Sequence, residues 1–135
     1  MTGIADISGS QYAMISIAGQ ATAGTVDEFT GFIAPGNIKI ISAKWIPKAA
    51  VTFNATNYFT LTLRNRTTGA GTALPAQRSY VATSSVALVA ETMTLSATAA
   101  DLLIASGDVL TCEKLVSGTG LAMPAGTVQV EYQYR

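Results

Sequence analysis

The C-terminal segment 107–135 constrains the fold more than any other part of the chain. Residues 127–135 alternate valine or tyrosine with polar residues without interruption, as the two faces of a β-strand require. A second alternating stretch, Val109–Leu115, follows the turn dipeptide Gly107-Asp108, and a loop rich in glycine separates the two. Strands this regular need neighbouring strands and a second layer over their apolar face. This segment therefore predicts a sheet that packs against another layer.

Upstream residues show the same short alternating runs and no helix pattern of useful length. Six more strands are predicted, at residues 11–18, 26–34, 38–46, 58–65, 73–83 and 90–96. Thr98 and Asp101 have the spacing of a capping box, which predicts a single helical turn. We predict an all-β fold, an antiparallel two-sheet β-sandwich that is jelly-roll-like and has about eight strands. The predicted domains are an N-terminal arm at 1–11 and one sandwich domain at 12–135.

Alternation also predicts which side chains face inward. Phe29 and Ile33 share a face, and Gly31 between them indicates a bulge or the close approach of another backbone. On the third strand, Trp45 is predicted on the face opposite Ile38 and Ile40. The residues predicted to be most buried lie on the apolar faces of alternating strands: Phe59, Leu61, Leu63, Met93, Leu95, Leu110, Val128 and Val130.

Composition limits what this domain can bind. Hydrophobic residues make up 49% of the chain and charged residues only 12%, with eight basic and eight acidic residues. Nucleic-acid binding is disfavoured because it depends on a basic surface, and no cluster of lysine and arginine is present. Exposed positions must be filled by small and uncharged side chains. We expect a partner to cover part of this neutral surface.

Catalytic chemistry has few candidate residues. The chain has one cysteine, Cys112, and no histidine, which excludes Ser-His-Asp and Cys-His catalysis and leaves zinc only carboxylate ligands beside one thiol. Cys112 shares a strand face with Leu110 and is interpreted as a small buried residue. Three carboxylate pairs are candidates for glycoside hydrolysis, and we interpret them as structural: Asp27/Glu28, Asp101/Asp108 and Glu91/Glu113. We predict no enzyme activity, no catalytic residues, no metal and no cofactor.

The N-terminus lacks the basic and apolar regions of a signal peptide, and no apolar run is long enough to span a bilayer. We therefore expect no membrane partner, and synthesis in the cytoplasm. Within the arm and the start of the first strand, Ile4, Ile7 and Tyr12 are spaced apolar anchors and candidate partner-binding residues. Trp45 is a fourth candidate, either as a core residue or as a partner-facing anchor.

Several stretches, taken in order, resemble a family of small capsid decoration (cement, or minor capsid) proteins of tailed bacteriophages. The resemblance covers residues 26–134 and rests on KWIPKAAVT at 44–52, NYFTLTLRN at 57–65, GAGT at 69–72, TLS at 94–96, SGDVLT at 106–111 and GTGLAMPAG at 118–126. The resemblance implies a β-sandwich that forms a homotrimer on the outside of an icosahedral head and clamps neighbouring subunits of the major capsid protein. It implies no catalytic or ligand residues.

The resemblance implies a non-enzymatic structural protein of a virion, made in a bacterial cytoplasm and bound to the capsid exterior. Two alternatives remain. A carbohydrate-binding sandwich module on a virion or tail surface would display a row of exposed aromatic rings beside Asn or Asp. A head–tail connector or tail subunit would assemble as a ring rather than a trimer.

Overall fold

The computed structural model describes residues 9–67 and 71–135, which form ten strands in two antiparallel sheets. The predicted all-β, two-sheet sandwich is thereby confirmed. The first sheet contains β1 (Gln11–Ile17), β10 (Gly126–Tyr134), β3 (Ile38–Pro47), β6 (Glu91–Thr92) and β8 (Leu103–Ile104). The second contains β2 (Asp27–Ile33), β9 (Val109–Ser117), β4 (Tyr58–Arg66), β5 (Ala73–Ser79) and β7 (Thr94–Leu95).

The strand order is that of a jelly roll. The first sheet runs β1-β10-β3-β6, and the second runs β2-β9-β4-β5-β7. The two short strands β6 and β8 pair with opposite ends of β3 and together form one interrupted edge strand. Apart from the β4–β5 hairpin, successive strands belong to opposite sheets, so most connections cross from one sheet to the other. Jelly rolls occur in viral capsid proteins, lectins and cupins, so this fold alone does not define a function.

The last two long strands are central in their sheets. β9 lies between β2 and β4, and β10 lies between β1 and β3. The strands that pair with them lie in the first half of the chain. Gln11, at the start of β1, pairs with Tyr132, near the end of β10. The regular alternation of these strands therefore reflects a position with a neighbour on each side and a second sheet over one face.

Two bulges change which residues face the core. In β2 the register shifts between Thr30 and Phe32, so Phe32 packs against the core while Ile33 is exposed. The predicted shared face of Phe29 and Ile33 is therefore wrong, whereas the predicted bulge at Gly31 is confirmed. A side chain at Gly31 would clash with the carbonyl oxygen of Leu110, so the close approach of another backbone is also present.

The second bulge lies in β3. Successive residues Glu131 and Tyr132 of β10 pair with Ser42 and Ile40, which leaves Ile41 without a partner in this register. The extra residue shifts the alternation by one position. Ala43 and Trp45 consequently face the core together with Ile38 and Ile40. The prediction that Trp45 lies on the face opposite Ile38 and Ile40 is therefore wrong, because the bulge reverses the alternation.

The segment predicted as one strand at 90–96 is divided between the sheets. Glu91–Thr92 pairs with β3 and Thr94–Leu95 pairs with β5, with buried Met93 between them. Leu95 is only half-buried, in contrast to the prediction, because it lies on the outermost strand of its sheet. The predicted helical turn is a 3-10 helix, Ala99–Leu102, but Thr98 makes no side-chain cap and Asp101 accepts from Ser96 instead.

The core lies between the sheets and contains seven of the eight residues predicted to be most buried, each at most 1% exposed.

The core also contains a lysine. Lys114 is 0% exposed, and its Nζ donates to the Ala23 carbonyl over 3.4 Å and lies 5.5 Å from the Phe59 ring centroid. Among the ion pairs of the described residues, none involves Lys114. Within residues 9–67 and 71–135, no helix is long and apolar enough to cross a membrane.

Candidate functional site

Of the four predicted partner-binding residues, Ile4 and Ile7 lie outside the described residues, and Tyr12 is 58% exposed on β1. β1 is the edge strand of the first sheet, and the arm leads directly into it. Ser10 donates to Glu131, and Gln133 donates to Ser10 over 3.4 Å, so the chain just before β1 is held on the outer face of this sheet.

Beside Tyr12 is a shallow polar cleft of about 310 Å³, lined by Tyr12, Ser42, Lys44, Gln129 and Glu131. Ser42 donates to Glu131 over 2.9 Å. Hydrogen bonds from Ser10 and Ser42 lower the pKa of Glu131, so its carboxylate is ionised at neutral pH. The cleft therefore combines one exposed aromatic ring with charged and amide groups.

Trp45, the fourth predicted partner-binding residue, is a core residue in this chain. It is 0% exposed, and its Nε1 donates to the Tyr80 hydroxyl over 2.9 Å. That hydroxyl lies 2.9 Å from Ser85 Oγ, within the same buried network. The partner-facing interpretation of Trp45 is therefore wrong for this structure, because the bulge at Ile41 directs the indole inward.

The outer face of the second sheet carries a cluster of charged residues. Glu28 and Glu113 are direct neighbours across β2 and β9. Arg66 contacts Glu28 over 2.6 Å and Glu113 over 3.7 Å, and Arg64 contacts Glu113 over 2.8 Å. Thr111 also donates to Glu28. These contacts, above all the hydrogen bonds from Arg66, lower the pKa of Glu28 to about 2. A carboxylate so stabilised in its ionised form is a poor general acid at neutral pH.

The other carboxylates considered for catalysis also have structural partners. Asp108 accepts from Asn65 and from the Ala105 backbone, as the turn interpretation predicts. Asp27 accepts from Gln20, Asp101 accepts from Ser96, and Glu91 pairs with Arg78 over 2.7 Å. Within the described part of the chain, no three His, Cys, Asp or Glu side chains are grouped so as to hold a metal.

Cys112 is a buried residue of the core, as predicted. Burial between the sheets raises the pKa of its thiol to about 12, and the nearby carboxylates of Glu113 and Glu28 act in the same direction. A thiol in this setting remains protonated at neutral pH. It therefore lacks the thiolate form that a nucleophile requires.

Exposed aromatic rings are few. Of the ten aromatic residues, only Tyr12 and Phe53 are exposed, one on β1 and the other in the loop after β3. Trp45, Phe59, Tyr80 and Tyr132 are buried, and Phe29, Phe32, Tyr58 and Tyr134 pack partly buried against the core. The row of rings that would form a sugar platform is therefore not present.

One exposed surface was not predicted from the sequence. Two loops, at residues 49–57 and 80–90, are joined by backbone hydrogen bonds between Val51 and Ser85 and from Asn54 to Tyr80. We call them the loop pair. They expose five large apolar side chains: Phe53, Val81, Val86, Leu88 and Val89. The apolar composition of 86–89 could have indicated this surface, but the pairing of the loops depends on contacts distant in sequence.

These features define a jelly-roll sandwich whose described carboxylates serve structural contacts and which exposes twelve large apolar side chains among the described residues. Comparisons of the chain with known protein families, with curated proteins and with solved structures find no match. The function must therefore be inferred from the protein's own surfaces.

Proposed function

We propose that this protein is a non-enzymatic structural component of a virion, a capsid decoration protein that binds the outside of an icosahedral head as a homotrimer. The observation that carries the proposal is the nature of the exposed surface. Among the described residues, twelve large apolar side chains are exposed, including Met14, Ile33 and Leu88, whereas the acidic groups of the charged cluster are neutralised by neighbouring arginines. Extensive exposed apolar surface marks sites of protein association.

The proposed partner is the major capsid protein, contacted through the N-terminal arm and the start of β1. Ile4, Ile7 and Tyr12 provide apolar anchors along this segment, and Tyr12 is exposed on the edge strand. Ordering a segment costs on the order of 1 kcal/mol per residue, which the anchors and backbone pairing must offset. One arm then binds weakly, while three arms on one trimer act together through effective concentration.

Binding to the assembled shell and not to free subunits stabilises the shell by mass action. Decorated heads are therefore expected to melt at a higher temperature than bare heads. The resemblance to capsid decoration proteins and the jelly-roll fold are consistent with this role. Assembly in the cytoplasm of a bacterial host requires no disulfide, and the single cysteine is buried.

The test uses empty heads assembled from the major capsid protein encoded in the same genome. Protein lacking residues 1–8 retains Ser10 and the whole of β1, so its sandwich should be unchanged. We expect the intact protein to co-sediment with heads and raise their melting temperature, and the truncated protein to do both less well. A second variant replaces Ile4 and Ile7 by serine without shortening the chain, so it separates loss of the apolar anchors from loss of the segment itself. If the intact protein does not bind heads at any ratio, the proposal is wrong.

The cleft beside Tyr12 favours a second candidate, binding of a carbohydrate. An aromatic ring next to Gln129, Lys44 and Glu131 could stack on a sugar and hydrogen-bond its hydroxyls. A single ring provides a much smaller platform than a row of rings. Binding to a glycan array that disappears in Tyr12→Ala would favour this function over capsid decoration.

A further inference from the structure

The loop pair is a rigid part of the surface. Its two loops are joined at Val51 and Ser85, and the Leu88 amide donates to the Pro47 carbonyl over 2.8 Å. Beneath them, the buried Tyr80 hydroxyl bonds both Trp45 and Ser85. A surface that is already ordered loses little conformational entropy when a partner binds.

A buried arginine strengthens this support. The Arg78 guanidinium lies 3.9 Å from the Tyr80 ring centroid and pairs with Glu91. It also donates to the Thr83 carbonyl over 3.1 Å, which fixes the second loop from below. Arg78 and Glu91 therefore form contacts beneath the loop pair, and the exposed Lys48 lies just before its first loop.

Leu88 adopts an uncommon backbone conformation. Its φ is +63°, in the left-handed region that a bulky side chain rarely adopts, and its side chain is 73% exposed. Such a conformation persists only when the surrounding structure enforces it, and it is concentrated at sites that bind. In this conformation the Leu88 amide donates to the Pro47 carbonyl while the leucine side chain is presented to solvent.

The exposed surface of the loop pair is uncharged and combines its five large apolar side chains with Thr, Ser and Asn. No Asp, Glu, Lys or Arg occurs at residues 49–63 or 79–90. With roughly 150 Å² for a large side chain, the five exposed apolar residues present on the order of 400 Å². A standard interface buries about 800 Å² from each partner. The apolar area of the loop pair is therefore large enough to form the centre of such an interface, and the Ser, Thr and Asn side chains of the loops can form its polar rim.

We propose that the loop pair is the surface through which copies of this chain associate with one another. A second copy fits because an uncharged patch does not repel its own duplicate, and because the chain carries zero net charge. A partner selected by charge would find no complementary group on the loop pair. The inference rests on the proposed function only for the number of copies, since a trimer would place three loop pairs around one axis.

The experiment measures self-association by analytical ultracentrifugation for the whole chain and three variants. Val86→Asn and Leu88→Asn remove apolar contacts without adding charge, and asparagine tolerates the positive φ at position 88. Val26→Asn is the matched control, because Val26 is 61% exposed, close to the 65% of Val86, and lies outside the loop pair. Urea unfolding of each variant checks that the fold is retained.

We expect the wild-type chain to sediment as a multiple of 13.9 kDa, and both loop variants to associate about tenfold more weakly or worse. The Val26→Asn variant should sediment as the wild type does. A wild-type chain that remains monomeric across the micromolar range would overturn the inference. An equal effect of the control, or no effect of the loop variants, would do the same.

Binding to heads separates this inference from the proposed function. If the loop variants keep their oligomeric mass but lose binding to heads, the loop pair faces the shell and the inference is wrong while the proposed function stands. If the oligomer depends on the loop pair but does not bind heads, the inference stands and the proposed function is wrong.

Discussion

Replacing Lys114 by methionine should stabilise the protein. Lys114 is fully buried on the inner face of β9, and its ammonium group has a single long hydrogen bond to Ala23. Methionine has a similar length and makes the same apolar contacts without a charge. Burying an uncompensated charge costs several kcal/mol, part of which the Ala23 carbonyl and the Phe59 ring recover. We therefore expect Lys114→Met to raise the free energy of unfolding by about 1–3 kcal/mol at pH 7.

The pH dependence gives an independent check. Burial lowers the pKa of Lys114 below its ordinary value of 10.5. The unfolded chain then binds more protons than the folded one between the two pKa values, so the wild type gains stability as the pH rises through that window. The advantage of the methionine variant should therefore be largest at neutral pH and should shrink as the pH approaches 10.5.

Urea unfolding followed by tryptophan fluorescence measures both effects, since Trp45 is buried in the core. With a slope of about 1–3 kcal/mol per molar urea, a gain of about 2 kcal/mol moves the midpoint by about 1 M. Lys48→Met is the matched control, because Lys48 is exposed, and it should change the midpoint little. A destabilised Lys114→Met variant, or an advantage that stays constant from pH 7 to pH 10, would refute the reasoning.

Three further predictions follow from the core and the charged cluster. Leu61→Ala, at a fully buried position, should lower the free energy of unfolding by about 2–5 kcal/mol, and a loss under about half a kilocalorie in urea titrations would contradict its place in the core. The pKa of Glu28, lowered from 4.5 to about 2, contributes about 2 kcal/mol that is present above pH 4.5 and lost as the pH falls towards 2. Glu28→Gln should flatten this acid dependence, and an unchanged acid profile would show that the Arg66 contact contributes nothing. Cys112 should not react with a thiol reagent at pH 8 until urea unfolds the chain, whereas rapid reaction of the native protein would show that its thiol is accessible.

Most of the strands could be predicted from the sequence because alternation and turn residues are local signals. The predicted starts of β1, β3, β4, β5 and β9 coincide with the observed ones. The inward faces of β2 and β3 were not predicted correctly after Gly31 and Ile41. One additional residue reverses the alternation. Gly31 marks the bulge in β2, whereas no residue of β3 marks the second bulge, whose position depends on the register with β10.

The candidate surfaces were harder to predict. Tyr12 is a candidate because of its spacing from Ile4 and Ile7, and its position on the edge strand of a sheet becomes visible only in the structure. For Trp45 the sequence leaves a core residue and a partner-facing anchor open, because its face depends on the bulge at Ile41. The loop pair was missed because residues 49–57 and 80–90 meet only through backbone hydrogen bonds between distant segments. The left-handed conformation of Leu88 is likewise a product of tertiary structure, since nothing in its neighbours requires it.

The central position of β9 and β10 has a consequence for synthesis on the ribosome. Translation proceeds from the N-terminus, so β1 to β8 emerge before the strands that join them into sheets. Until Tyr134 has left the exit tunnel, β1 and β3 lack the strand between them, and the backbone groups along their facing edges remain unpaired. Pairings as distant as Gln11↔Tyr132 also make folding slow, because a long loop must close before these contacts form. The nascent chain therefore passes through an aggregation-prone stage that ends only when its last strand is inserted.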